Sequence, residues 1–115
     1  MSALSRVAAL NASDGLVGAL GSLLEDPSEE LREAAAEALG RVVPEGDERA
    51  MHEVTVRLGY ENLWHIRASA TRALAEISPK GDRRCVDMLV ERVADKRHEV
   101  RLVAVPALSR VVEMG

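Results

Sequence analysis

The chain has 115 residues and a mass of 12.4 kDa, room for one domain rather than two. Apolar residues make up 47% and charged residues 30%, with 17 alanines, one Trp, one Tyr and no Phe; that excludes a disordered chain and disfavours a sheet core built on aromatic and β-branched residues, while Ala with Leu and Val suits close-packed helices. Residues 1–58 hold 11 acids against 5 bases and residues 59–115 hold 8 against 10, a net −6 and +2 within a total of −4, so neither half is basic enough to predict nucleic-acid binding from charge.

In chain order, residues 1–12 read as the later part of a helix that begins upstream in pattern. Leu16, Ala19, Leu20 and Leu23 then mark an apolar stripe on a helix over about 14–25. Gly15, Gly18 and Gly21 lie inside it, and close packing against the preceding segment is the expected reason. Asp26-Pro27-Ser28-Glu29 predicts an N-cap at Asp26, Pro at the first helical position and an acid in the first turn. A second helix follows over about 28–43, with Leu31, Ala35, Ala38, Leu39 and Val42 on one face. Pro44-Glu45-Gly46-Asp47 breaks it and caps a helix over about 47–59, where Met51, Val54 and Leu58 are apolar. The next helix, about 62–78, carries Ile66, Ala70, Ala73, Leu74 and Ile77. Ser78-Pro79-Lys80-Gly81-Asp82 repeats the break and the capping Asp. Helices over about 82–94 (Val86, Leu89, Val90, Val93) and 97–113 complete the chain. Pro106 lacks an N–H for the Leu102 carbonyl and predicts a kink.

These elements repeat. Shifts of 35 and then 34 place Leu31-Arg32 on Ile66-Arg67 and Val100-Arg101, Ala35 on Ala70 and Ala104, and Ala38-Leu39 on Ala73-Leu74 and Ala107-Leu108. Gly46-Asp47 falls on Gly81-Asp82, and Ala3-Leu4-Ser5-Arg6-Val7 matches Ala107-Leu108-Ser109-Arg110-Val111. Each unit is two antiparallel amphipathic helices, and no linker separates the units, so they stack on one core. The expected division is a half repeat at 1–12 and repeats at 13–46, 47–81 and 82–115, about seven helices in all.

This pattern resembles HEAT repeats of a short variety, over essentially the whole chain. It also resembles the Gly-Asp-Arg-rich helical arrays of algal and protist proteins and the HEAT-like subunits of bilin lyases. The tetratricopeptide pattern of Trp, Tyr and Phe and the ankyrin Thr-Pro-Leu-His signature are absent. The resemblance implies an all-α, right-handed α-α superhelix. It also implies a ladder of hydrogen bonds from an Asp in the inter-helix turn and an Arg six residues on. Asp26 and Arg32, Glu61 and Arg67, and Asp95 and Arg101 occupy those places.

Little in the sequence points to chemistry. His52, His65 and His98 have no metal-ligand spacing, and His98-Glu99 lies a turn too early to match the His-Glu metal pairs of deoxyhypusine hydroxylase, a HEAT-repeat enzyme. No phosphate loop is present, and no catalytic, cofactor or metal residue is assigned. Cys85 stands alone and aligns with Ala50 and Gly15, so it is read as a small packing residue; one cysteine fits a reducing intracellular compartment, cytoplasm or organelle interior. No apolar run is long enough for a transmembrane span, and no signal-peptide pattern opens the chain.

Binding is the expected role. The open face of the second helices runs Glu33, Ala68, Leu102, then Glu37, Arg72, Pro106, then Arg41, Glu76, Arg110. It passes from acidic to apolar. The 97–113 helix is apolar nearly all round, so a protein partner, another copy or further repeats are expected to cover it, through Leu102, Val105 and Pro106. Tyr60, Leu63 and Trp64 form a second candidate surface, since neither aromatic is demanded by the repeat; a local staple over the turn is the competing role. The sequence therefore points to a non-enzymatic scaffold for protein–protein interaction, a subunit or fragment of a larger assembly. Two alternatives stay open. One is an accessory subunit of an enzyme such as a bilin lyase, which a cleft lined by Trp64 and Arg72 would favour. The other is a HEAT-like nucleic-acid binder, which the lack of a basic stripe disfavours.

Overall fold

A computed structural model describes residues 14–112. Six helices are present among them: α1 (Asp14–Leu23), α2 (Glu29–Val42), α3 (Glu48–Leu58), α4 (Trp64–Ile77), α5 (Arg83–Val93) and α6 (His98–Val111). The expected half repeat at 1–12 lies outside the described residues. The caps explain most boundaries. Asp47 and Asp82 accept the backbone N–H of Ala50 and Cys85, each at 3.0 Å. At the start of α2 the cap is Ser28, not Asp26: its hydroxyl accepts the Leu31 N–H at 3.3 Å, while the Asp26 carboxylate accepts the Ser28 N–H at 2.8 Å. Pro27 therefore precedes the helix. Asp95 repeats this turn, accepting the Arg97 N–H at 2.9 Å before α6.

The helices form two layers. In one, α4 packs closely on both α2 and α6; in the other, α1 touches α3, while α3 and α5 barely meet. A layer that packs tightly beside one that splays must curve, with the tight layer inside. The concave face is therefore built by α2, α4 and α6. The smallest extent of the molecule is 20 Å, two helix diameters. Gly46 and Gly81 sit at φ +75° and +77°, where a side chain would be strained, and donate their N–H groups to the carbonyls of Ile77 and Val111, each at 2.7 Å. Each such bond ties one repeat to the C-terminal end of the next repeat's second helix.

Alanine makes the close packing possible. Ala35, Ala70, Ala104, Ala73 and Ala107 are all buried on the repeat pattern. Leu24, Leu39, Val54, Leu74, Ile77, Leu89, Val100 and Val111 fill the space between layers. The pattern fails at some edges. Leu31 is 47% exposed and Ala38 only half-buried, whereas Ala36, off the expected stripe, is fully buried under α4's repeat. Ala19, Leu23 and Val90 are exposed as well. Periodicity tells which face is apolar but not whether a neighbour covers it. Gly21 packs against Glu53 of α3, where a Cβ would lie 2.3 Å from its carboxylate, so its contact is with the following repeat; Gly18 faces open space. α6 runs as one helix through Pro106, which is exposed, so water can serve the Leu102 carbonyl that loses its helical partner.

Candidate functional site

The concave face carries a groove between α4 and its neighbours. One lobe, about 380 Å³, is lined by Trp64, Ala68 and Arg72 of α4, by Arg32 and Glu33 of α2, and by Leu102 and Val103 of α6. A second lobe, about 320 Å³, shares Arg72, Leu102 and Val103 and continues to Glu76, Pro106 and Arg110. The two make one furrow along α4 and α6. Its floor is Ala68 and Ala75, small residues that leave space, and its α6 wall is Leu102, 61% exposed.

Charge is arranged across the helices. Arg72 reaches Glu33 at 3.6 Å, and Arg110 grips the Glu76 carboxylate with Nη1 and Nη2, at 2.7 and 3.1 Å. These pairs are solvent-exposed at one or both partners and add little stability, but they fix the rotamers that shape the furrow. Arg72 and Arg110 are thus matched by acids, and Glu29 and Glu99 add further negative charge at the α2 and α6 ends. Trp64 stands at the N-terminus of α4, half-buried, with Arg97 4.8 Å over its ring and His65 edge-on at 6.0 Å. A cation held on the ring orients the indole and leaves its other surface to the groove.

The structure separates the sequence candidates. Trp64, Arg72, Leu102 and Pro106 come together in the furrow. Tyr60 lies outside it: its hydroxyl donates to Glu25 at 3.3 Å and its carbonyl accepts from Arg67. Leu63 is exposed just before α4, and Val105 is exposed on α6 outside the furrow's lining.

The Arg row sits behind the turns. Arg32 donates to the carbonyls of Asp26 and Pro27, Arg67 to those of Tyr60 and Glu61, and Arg101 to that of Asp95, at 2.6–3.0 Å. Each guanidinium ties down its own turn. Within this row, Arg67 alone also crosses to the next repeat by its side chain among the described residues: its Nε and Nη2 each donate to the Asp95 carboxylate at 2.9 Å, and both side chains are buried. Glu61 contributes only its carbonyl, its side chain being exposed; with one more methylene than Asp it does not form the turn that Asp26 and Asp95 make. Burial pushes the Asp95 carboxyl up, but hydrogen bonds from Arg67 and the Arg97 N–H, with the charges of Arg67 and Arg92, outweigh this and hold it below the usual range.

Sequence reasoning missed a second set of braces. Arg57 Nε stands 2.9 Å from Glu25, and Arg92, 35 residues on, donates to the Leu58 carbonyl at 3.3 Å. Their spacing was the available signal. Cys85 is buried, and burial raises its thiol pKa, which keeps it a protonated packing group. Among the described residues no three His, Cys, Asp or Glu side chains converge on a metal position, and no helix is long and apolar enough to cross a membrane.

Comparison with known families agrees with this architecture. The family model described as HEAT repeats matches residues 2–75 and again 19–109. A comparison with curated proteins finds no match.

Proposed function

This chain belongs to the HEAT-repeat family, and from that premise we propose that it is a non-enzymatic scaffold whose concave furrow holds a protein partner. HEAT repeats form helical solenoids that typically mediate protein interactions. The observation that carries the proposal is the exposed apolar wall at Leu102 and Pro106 facing Trp64 across a groove of side-chain dimensions. Contiguous apolar surface along a groove, here Trp64, Leu102, Val103 and Pro106, marks a binding site where single exposed side chains do not. The α2 end adds Glu29, Glu33 and Glu37. The partner segment is therefore one that lays apolar residues against Leu102 and Trp64 and basic residues towards α2, within a larger assembly.

Affinity capture with the wild type and with a Trp64→Ala, Leu102→Glu double variant tests this. Partners retained by the wild type should be lost or bound at least ten-fold more weakly by the variant, since truncating one anchor costs about 2 kcal/mol or more. If both capture the same partners equally, the furrow is not the site. The second reading, an accessory subunit that contacts a tetrapyrrole, draws on the cleft that Trp64 and Arg72 line together. Against it, Glu29, Glu33 and Glu99 face the same cleft and would repel propionates. A bilin titrated against the protein and followed by its absorbance separates the two.

A further inference from the structure

Positions that are equivalent in the repeat are not equivalently covered. Ala36 and Thr71 are fully buried by the repeat that follows them; Val105, at the same place in α6, is 56% exposed. At the opposite edge, Ile66 and Val100 are buried, while Leu31 of α2 is 47% exposed. Among the described residues, each edge thus shows one half of the interface that joins the repeats inside the chain.

The polar part of that interface is split in the same way. Arg67 holds its own turn with Nη1 and grips the next repeat's Asp95 with Nε and Nη2. Arg101 holds its turn with Nη1 on the Asp95 carbonyl at 2.6 Å, and its Nε and Nη2 bond to none of the described residues. At the other edge Asp26 is shaped as Asp95 is, one carboxylate oxygen accepting the N–H two residues on, at 2.8 Å against 2.9 Å. No side chain among the described residues bonds the Asp26 carboxylate. The edge elements also differ in sign: residues 14–42 hold 7 acids against 2 bases and residues 83–111 hold 4 against 7, a net −5 and +3.

We propose that a second copy of this chain stacks head to tail, its α1–α2 edge on the α6 edge of the first, with Asp26 of one copy taking Arg101 of the other as Asp95 takes Arg67. Val105 and Leu31 lie at these two edges and supply the apolar part of the contact. The two surfaces are different, so the association is heterologous and can continue beyond a dimer. The furrow on the concave face is left open, so this stacking stands or falls separately from partner binding.

Sedimentation velocity over a hundred-fold range of concentration tests it. The wild type should sediment faster as concentration rises. Arg101→Asp and Asp26→Arg should each stay monomeric with wild-type helical circular dichroism, and an equimolar mixture of the two should associate again, because the Asp26 that the first variant keeps meets the Arg101 that the second keeps, while the altered edges pair with their charges reversed. Val105→Glu, at an exposed position, is the variant to use should either charge reversal unfold the chain, and it too should stay monomeric. A wild type that remains monomeric throughout overturns the proposal. So does association that survives Arg101→Asp, Asp26→Arg or Val105→Glu, as does a mixture that fails to associate. Any of those results would assign the edges to another occupant, such as residues 1–13 or a different protein.

Discussion

Removing the Arg67 guanidinium is the sharpest perturbation of the stack. Arg67→Ala deletes two bonds to the buried Asp95 carboxylate and two to the carbonyls of the α3–α4 turn. Asp95, 6% exposed, is left with Arg92 and the Arg97 N–H as partners. Breaking a buried ion pair from one side costs about 3–5 kcal/mol, because the surviving charge stays desolvated. Arg32→Ala is the control: it loses bonds to two turn carbonyls at a half-buried site where water replaces them, and should cost about 1–2 kcal/mol. For a chain of this size the Arg67 loss lowers the melting temperature by roughly 15–30 °C. Urea unfolding followed by circular dichroism measures both. An Arg67→Met, Asp95→Leu pair should recover about 2 kcal/mol or more over Arg67→Ala, since no charge is then left buried. If Arg67→Ala costs no more than Arg32→Ala, or the pair recovers nothing, the buried rung does not hold the repeats together.

The same rung sets an acid limit. The folded carboxyl of Asp95 lies below its unfolded value of about 3.9, so its contribution is complete above that value and is lost as pH falls through the lower, folded one. Urea midpoints should hold down to about pH 4 and then fall, and Asp95→Asn should flatten the fall; an equal slope in both proteins removes Asp95 as the cause. Two glycines should respond with opposite signs. Gly40→Ala puts a Cβ 2.9 Å from Glu76 Cβ and 3.1 Å from its carbonyl oxygen, so α2 and α4 must part, a net loss of about 1 kcal/mol after the gain in helix propensity. Gly18→Ala meets nothing within 4 Å and should gain up to about 1 kcal/mol. Melting temperatures that shift in the same direction would show that helix spacing at Gly40 is not set by the glycine.

What could be read from the residues follows from what repeats. The Ala35, Ala70 and Ala104 contacts, the Asp47 and Asp82 caps and the faces of α2, α4 and α6 all recur at offsets of 35 or 34, so local pattern and tertiary packing coincide. Ser28 rather than Asp26 is the cap because the Asp26 carboxylate accepts the Ser28 N–H, outside the helix, and the Ser28 hydroxyl accepts the Leu31 N–H; with two short polar side chains this close, spacing does not say which one caps. Leu31 and Val105 carry apolar side chains on the repeat pattern but lie at the edges, where burial depends on a neighbour the pattern does not describe. Tyr60 stood out as an aromatic off the pattern, yet its polar groups are spent on Glu25 and Arg67. Trp64 stood out for the same reason and does line the furrow, with Arg97 on its ring. Only the folded structure separates those two, since by composition and spacing both are surplus aromatics at one turn.

Site-specific photo-cross-linking tests the partner-binding furrow most directly. A photoreactive side chain is placed at Leu102, in the furrow wall, or at Val56, exposed on α3 in the other layer. The expected result is cross-linking to a protein partner from position 102, abolished by Trp64→Ala in the same chain, with none from position 56. Equal cross-linking from both positions, or from position 56 alone, would contradict a binding surface on the concave face.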